Sequence, residues 1–179
     1  MTYYDPDKTT AEILAETDRC LVILRGLPAA GKTTFAHRLV TVMRTRQTVT
    51  EMCRIPALRI GRDDARNLLC LGPNPHEKCI GTHDQEDTVT MVEETMIRAA
   101  FAAGVNYVVE DSTNLYQTSI ERLAELAVDL GVMPTVITLD THVEECVARD
   151  ALRADSVGED VIRKMATAPG WTVQWKWID

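Results

Sequence analysis

The sequence has no long apolar run. Its longest ones are a handful of residues, such as Leu21-Val22-Ile23-Leu24, so no segment is expected to span a bilayer. The N-terminus, Met1-Thr2-Tyr3-Tyr4-Asp5-Pro6-Asp7, lacks a basic start and an apolar core, and is not expected to be a secretory signal. There is no evident disulfide framework. The five cysteines (Cys20, Cys53, Cys70, Cys79 and Cys146) are an odd number. A chain of 179 residues buries roughly 70% of its unfolded surface, so it needs neither a disulfide nor a metal to fold. Free thiols and a cytoplasmic location are the expectation. An overall positive charge is lacking too. The formal net charge is −8, and the surface as a whole does not advertise nucleic-acid binding. No internal repeat and no dividing linker are found.

With 45% hydrophobic and 26% charged residues, the composition is that of an ordinary globular protein. The positive charge is concentrated. Arg38, Arg44, Arg46, Arg54, Arg59, Arg62 and Arg66 lie close together in sequence, opposed there only by Glu51, Asp63 and Asp64. This suits a negatively charged ligand at one site, or else is a scatter of solvated charges.

Residues 1–10 read as irregular, and Ala11 to Arg19 as a short helix. Buried strands are expected at Cys20–Arg25, Ala57–Gly61, Asn106–Glu110 and Pro134–Leu139. Amphipathic helices are expected over Lys32–Arg46, Asp63–Leu69, Gln85–Ala103, Tyr116–Leu130, His142–Ala154 and Glu159–Ala166. In the third of these, Val89, Val92, Met96 and Ala99 or Ala100 recur at helical spacing. Residues 71–83 form a polar insertion. The tail alternates Trp171, Val173, Trp175 and Trp177 with polar residues. It reads as a half-buried strand, though the tryptophans can also stack on bases. The alternation of strands and helices predicts an α/β fold: a doubly wound, mainly parallel sheet with helices on both faces. Chemistry in such folds sits beyond the carboxyl ends of the strands.

Four polar stations follow strands there. The first, Gly26-Leu27-Pro28-Ala29-Ala30-Gly31-Lys32-Thr33, is a complete G-x-x-x-x-G-K-[ST] P-loop between a strand and a helix. Its backbone N–H groups and helix N-terminus suit a polyphosphate. Lys32 is expected on the β- and γ-phosphates and the Thr33 hydroxyl on Mg²⁺. The second station is Arg62-Asp63-Asp64-Ala65-Arg66. A carboxylate there can accept the proton of an attacking hydroxyl, and an arginine three residues on can hold a phosphate. The plainer reading is a helix-capping aspartate with a surface arginine. The third is Glu110-Asp111-Ser112-Thr113-Asn114. Asp111 can order a metal's water shell or orient Arg66, and Thr113 and Asn114 can hold the acceptor; a capped turn is the alternative. The fourth is Arg149 with Arg153, expected on one helical face and able to close over phosphates, or else an exposed charged helix. Cys70, His76, Cys79 and His83 carry ligand chemistry, but their spacing fits no standard zinc finger.

This ordered set resembles the kinase domain of phage-type 5′-polynucleotide kinases, over about Cys20 to Met165. The resemblance implies one P-loop kinase-like domain across 1–179. Residues 1–19 would be an N-terminal extension, 71–83 an insertion, and 142–167 a helical lid with its following helix. It implies transfer of the γ-phosphate of ATP, or another nucleoside triphosphate, to the 5′-OH end of DNA or RNA. By it, Asp63 is the general base, Arg66 binds the acceptor strand's phosphate and Arg153 contacts the donor phosphates. The donor site is then expected at Gly26, Ala29, Ala30, Gly31, Lys32, Thr33, Thr34, Arg149 and Arg153. The acceptor site is expected at Arg62, Asp63, Arg66, Asp111, Thr113 and Asn114. The chain departs from the family pattern in having Ser112 before Thr113-Asn114, where some members have Asp. The resemblance is to the kinase domain alone, and no phosphatase domain is expected. A kinase acting on a small-molecule hydroxyl, and a nucleotide-binding module without catalysis, remain as alternatives.

Overall fold

The computed structural model describes residues 6–45, 56–69 and 83–167. The expectations for residues 71–82 and for the tryptophan tail lie outside these. So do Cys70, His76, Cys79 and the side chain of His83.

Strand β1 (Cys20–Arg25) is buried along its whole length, so its side chains feed two cores. Cys20, Val22 and Leu24 face Phe35, Leu39 and Met43 of helix α2 (Lys32–Thr45). Leu21 and Ile23 face the other way, onto Ile97 and Phe101 of α4 (His83–Ala102) and Leu123 and Leu126 of α5 (Gln117–Asp129). Burial of both faces is why the strand reads as a continuous apolar run.

β2 (Ala57–Ile60), β3 (Tyr107–Glu110) and β4 (Met133–Thr138) complete a four-stranded sheet. Its order is β2-β3-β1-β4 and all pairings are parallel. Helices cover both faces. This is the doubly wound architecture expected, and it brings all strand carboxyl ends to one edge.

The N-terminal helix α1 runs from Pro6 to Glu16, so residues 6–10 are helical rather than irregular. Proline is pre-set for the first helical turn. Ile13 of α1 is buried in the same core as Val40 and Met43, so this segment packs into the core.

α6 (Val143–Asp150) and α7 (Glu159–Ala166) form a smaller cluster with the phosphate-loop region. Cys146 and Ile162 pack there against Leu27, Ala30 and Leu115. The expected helix from His142 to Ala154 is cut short at Asp150, and the reason is that residue's own side chain. It accepts from Ser156 Oγ (2.7 Å) and from the backbone N–H groups of Val157 (3.3 Å) and Gly158 (3.0 Å). These bonds turn the chain into a loop, so Arg153 stands in that loop rather than on a helical face with Arg149.

The buried stripe of α4 is Val89, Glu93, Ile97 and Ala100. Val89 and Ala100 are buried as expected and Met96 packs partly against the core, but Glu93 and Ile97, rather than Val92 and Met96, are the fully buried residues between them. A glutamate occupies a core position, and two arginines described below make that tolerable.

Candidate active site

β1 ends in a loop that turns into α2. Gly31 has φ +97°, a conformation that L side chains rarely adopt. The loop is held from two neighbouring strands. Gly26 N–H donates to the Thr113 carbonyl (3.0 Å), and Leu139 N–H to the Arg25 carbonyl (2.8 Å). Thr141 Oγ1 donates to the Ala30 carbonyl (2.9 Å). Lys32 opens α2 and is buried. Its Nζ folds back onto the carbonyls of Gly26 (3.0 Å) and Leu27 (2.8 Å). Burial pushes the Lys32 ammonium down; the charge of Asp111 opposes this and that of Arg153 adds to it. Thr33 and Thr34 are exposed on the first turn of α2.

β3 delivers the third station beside this loop. Asp111 is buried, and its carboxylate accepts from Arg59 Nη1 of β2 at 3.0 Å. It therefore lies between Arg59 and the field of Lys32. Asn114 takes φ +43°. Its Nδ2 donates to the Leu24 carbonyl at 2.8 Å and to Glu110 Oε2. Asn114 is thus buried and committed to bracing β1 against β3. Thr113 is half-buried, with its carbonyl on Gly26.

β2 ends at Gly61, where a Cβ would lie 2.7 Å from the Asp111 carbonyl oxygen. Only glycine lets the two strand ends approach this closely. Helix α3 (Arg62–Leu69) starts there. Asp64 reaches back to the Gly61 N–H (2.9 Å), as the third residue of a capping box does, and both its oxygens accept from Arg59 Nη2 (2.8 Å). Asp63 points outward with 90% of its side chain exposed, and accepts from Arg66 Nη1 (2.8 Å).

Arg62 and Arg66 turn toward α4. Arg62 donates to Thr90 Oγ1 (2.9 Å) and Glu86 Oε2 (2.8 Å), and its Nη1 is 3.4 Å from Glu93 Oε2. Arg66 forks onto Glu86, Nε to Oε1 at 3.1 Å and Nη2 to Oε2 at 2.8 Å. The Arg66 hydrogen bonds, with those of Arg62, pull the Glu86 carboxyl down to about 2. Beneath them lies a fully buried acid pair, Glu93 and Glu110. Glu93 also pairs with Arg122 of α5 (3.0 Å). Burial first, and then the charge of Glu93, push the Glu110 carboxyl well up.

Arg149 and Arg153 are paired as well. Arg149 Nη2 donates to Glu145 Oε1 (2.5 Å), and its Nη1 lies 3.7 Å from where a Cβ on Gly31 would stand. Arg153 donates twice to Asp155 (2.9 and 2.6 Å). The Asp155 hydrogen bonds chiefly hold its guanidinium up, and the charge of Asp63 contributes to the same effect. Arg153 is therefore in electrostatic reach of both Lys32 and Asp63. Among the described residues no group of three His, Cys, Asp or Glu side chains can hold a metal.

A family model for an AAA domain matches residues 21–168. The chain belongs to this AAA domain family. Among solved structures, it is 24% identical to a chain of the Pnkp1/Rnl/Hen1 RNA repair complex, with TM-score 0.62, covering 83% of this chain and 43% of that one. A second structure of the Pnkp1/Rnl/Hen1 complex matches at 27% identity and TM-score 0.54, covering 73% and 38%. The AAA domain chain thus spans less than half the length of both. Kti12 of Chaetomium thermophilum, solved with ADP-AlF3, matches at 19% identity and TM-score 0.54, over 87% of this chain and 84% of that one. The fold is that of a P-loop kinase-like domain, and it implies nucleotide binding. No described helix is long and apolar enough to cross a membrane.

The AAA domain gathers Gly26, Gly31, Lys32, Arg149 and Asp111 at one edge, with Arg153 in electrostatic reach of Lys32 and of the outward-pointing Asp63. It does not leave Arg62 or Asn114 open to a ligand. Sequence reasoning missed Glu86, Glu93 and Arg59 as parts of the site. The available signal was Glu93, a charge within the apolar stripe of α4; nothing in the sequence pairs Glu86 with Arg66.

Proposed function

We propose that the chain is a polynucleotide 5′-hydroxyl kinase, moving the γ-phosphate of ATP or another nucleoside triphosphate onto a 5′-OH end of DNA or RNA. The observation that carries this is a buried Lys32 in the phosphate-binding loop, an exposed Asp63 at the start of α3, and Arg153 within electrostatic reach of both.

The triphosphate enters the loop of Gly26, Ala29, Ala30 and Gly31 and takes Lys32 from the Gly26 and Leu27 carbonyls. Arg149 and Arg153 exchange Glu145 and Asp155 for phosphate oxygens. A guanidinium prefers the more highly charged anion. Mg²⁺ fits this donor set. An exposed Thr33 hydroxyl, phosphate oxygens and water suit magnesium, which seldom takes an all-protein cage. When bound, it would neutralise charge on the β- and γ-oxygens. Asp63 accepts the acceptor's proton as the new oxygen–phosphorus bond forms and the bond to the nucleoside diphosphate breaks. Thr113 and Asn114 act by holding the loop, and Arg62 by holding α3. The likeness to Pnkp1 of an RNA repair complex supports the nucleic-acid acceptor.

A second reading, a kinase of small-molecule hydroxyls, is favoured by one observation. Arg66, the acceptor-phosphate candidate, is already engaged by Glu86. Incubation with labelled ATP, Mg²⁺ and a 5′-OH oligonucleotide, beside a panel of small alcohols, separates the two. Label on the oligonucleotide end supports the first. Label only on an alcohol supports the second.

A further inference from the structure

The fork between Arg66 and Glu86 joins two different helices. Nε and Nη2 of one edge meet both carboxylate oxygens at 3.1 and 2.8 Å. A phosphate would use the same edge with the same geometry. Around it, the cations Arg62 and Arg66 face the anions Glu86, Asp63 and Glu93. An anion place beside the general base is therefore already filled by an anion of the protein.

The two glutamates of α4 are held very differently. Glu93 is fully buried and pairs with Arg62 and Arg122. Glu86 keeps 35% of its side chain exposed. Releasing Glu86 to solvent opens no core. Arg62 would keep Thr90 and Glu93 as partners after such a release. Arg66 would keep Asp63.

We propose that Glu86 is a specificity-determining residue of the acceptor site, its carboxylate holding the place of the acceptor's phosphate on Arg66 and leaving when that phosphate binds. This rests on the reading of Arg66 as facing the acceptor. A phosphate-bearing acceptor must compete with Glu86. An acceptor without phosphate leaves the pair closed. Hydrogen bonds from Arg66 and Arg62 lower the pKa of this carboxyl to about 2, so the competing charge persists well into acid as well as at neutral pH.

The test is calorimetric binding of a nucleoside 3′-monophosphate, the unphosphorylated nucleoside and inorganic phosphate, without any triphosphate present. Glu86→Gln removes the competing charge and keeps the shape. Its affinity for the nucleoside 3′-monophosphate should rise on the order of tenfold, the worth of one charge-assisted hydrogen bond, while nucleoside affinity changes far less. Adding Arg66→Ala should remove the gain. Glu86→Asp, a milder change should Glu86→Gln fold poorly, should give a smaller gain by lengthening the fork. Equal or weaker phosphate binding by folded Glu86→Gln would overturn the proposal and leave Glu86 as a support for Arg66. If the nucleoside compounds fail to bind at all, the polynucleotide reading fails. Inorganic phosphate still decides for Glu86: a gain dependent on Arg66 supports the exchange, and none refutes it.

Discussion

Glu110 is a carboxyl group with no exposed surface and a second acid, Glu93, beside it. Two like charges in a dry site cannot both stay ionised, and Glu93 has the arginines. Glu110 therefore keeps its proton in the folded state well above the ordinary carboxylate range. In the unfolded chain it releases that proton within the range. Folding must then take up a proton, so this group's contribution to stability falls as pH rises from the ordinary carboxylate range toward its raised folded value. Glu110→Gln needs no proton and can still accept from Asn114. It should match or exceed the wild type in melting temperature at pH 8, with the advantage shrinking toward pH 5. A melting series over that range checks it, and a variant less stable by the same margin at every pH contradicts it. Asp64 shows what the sequence can and cannot tell at this scale. A helix-capping role was legible from its position, and its bond to Gly61 N–H fits that role. The ion pair with Arg59 was not, since it depends on a strand folding alongside. For the same reason Arg66 read as open, although its partner Glu86 lies 20 residues away in the sequence.

Among the elements, strands and helices flanking the P-loop were legible because their periodicities differ and glycines punctuate them. The end of α6 was not. Val143 to Asp150 has helical spacing that nothing in the pattern stops. The break comes from Asp150 bonding to residues beyond it, a tertiary choice over a helical one. Its effect is to free Arg153 from the helix and set it at the site's rim. Arg153→Ala should therefore lower kcat by a factor on the order of 10² or more, as loss of a transition-state contact does. The melting temperature should hardly move, because Arg153 is exposed and pairs with the exposed Asp155. Steady-state kinetics with a thermal melt checks both halves. A lower melting temperature with unchanged kcat would make the loop structural. In α4 the ends of the buried stripe, Val89 and Ala100, were legible, but apolar count favours Val92 over Glu93 in its middle. The pairing of Glu93 with Arg62 and Arg122 decides otherwise.

Across the molecule, one sheet with two cores was predictable, and so was the edge where chemistry collects. The place of α1 was not. Ile13 is 2% exposed and lies against α2, so residues 6–16 belong to the core that carries the P-loop helix. Ile13→Ala should cost about 2–5 kcal/mol, read as a lower denaturant midpoint. A change within error would mean that α1 is dispensable. The central claim for the whole molecule is that a carboxylate from β2–α3 acts on a hydroxyl beside a triphosphate held by β1–α2. Single-turnover transfer from labelled ATP to the acceptor that the wild type labels, comparing wild type with Asp63→Asn, tests it most directly. Asn keeps the shape of Asp and cannot serve as the base. With Asp63 90% exposed, its loss should leave folding and ATP binding near wild type. Transfer should fall by a factor on the order of 10² to 10⁴. Equal transfer rates in the two proteins would contradict the account.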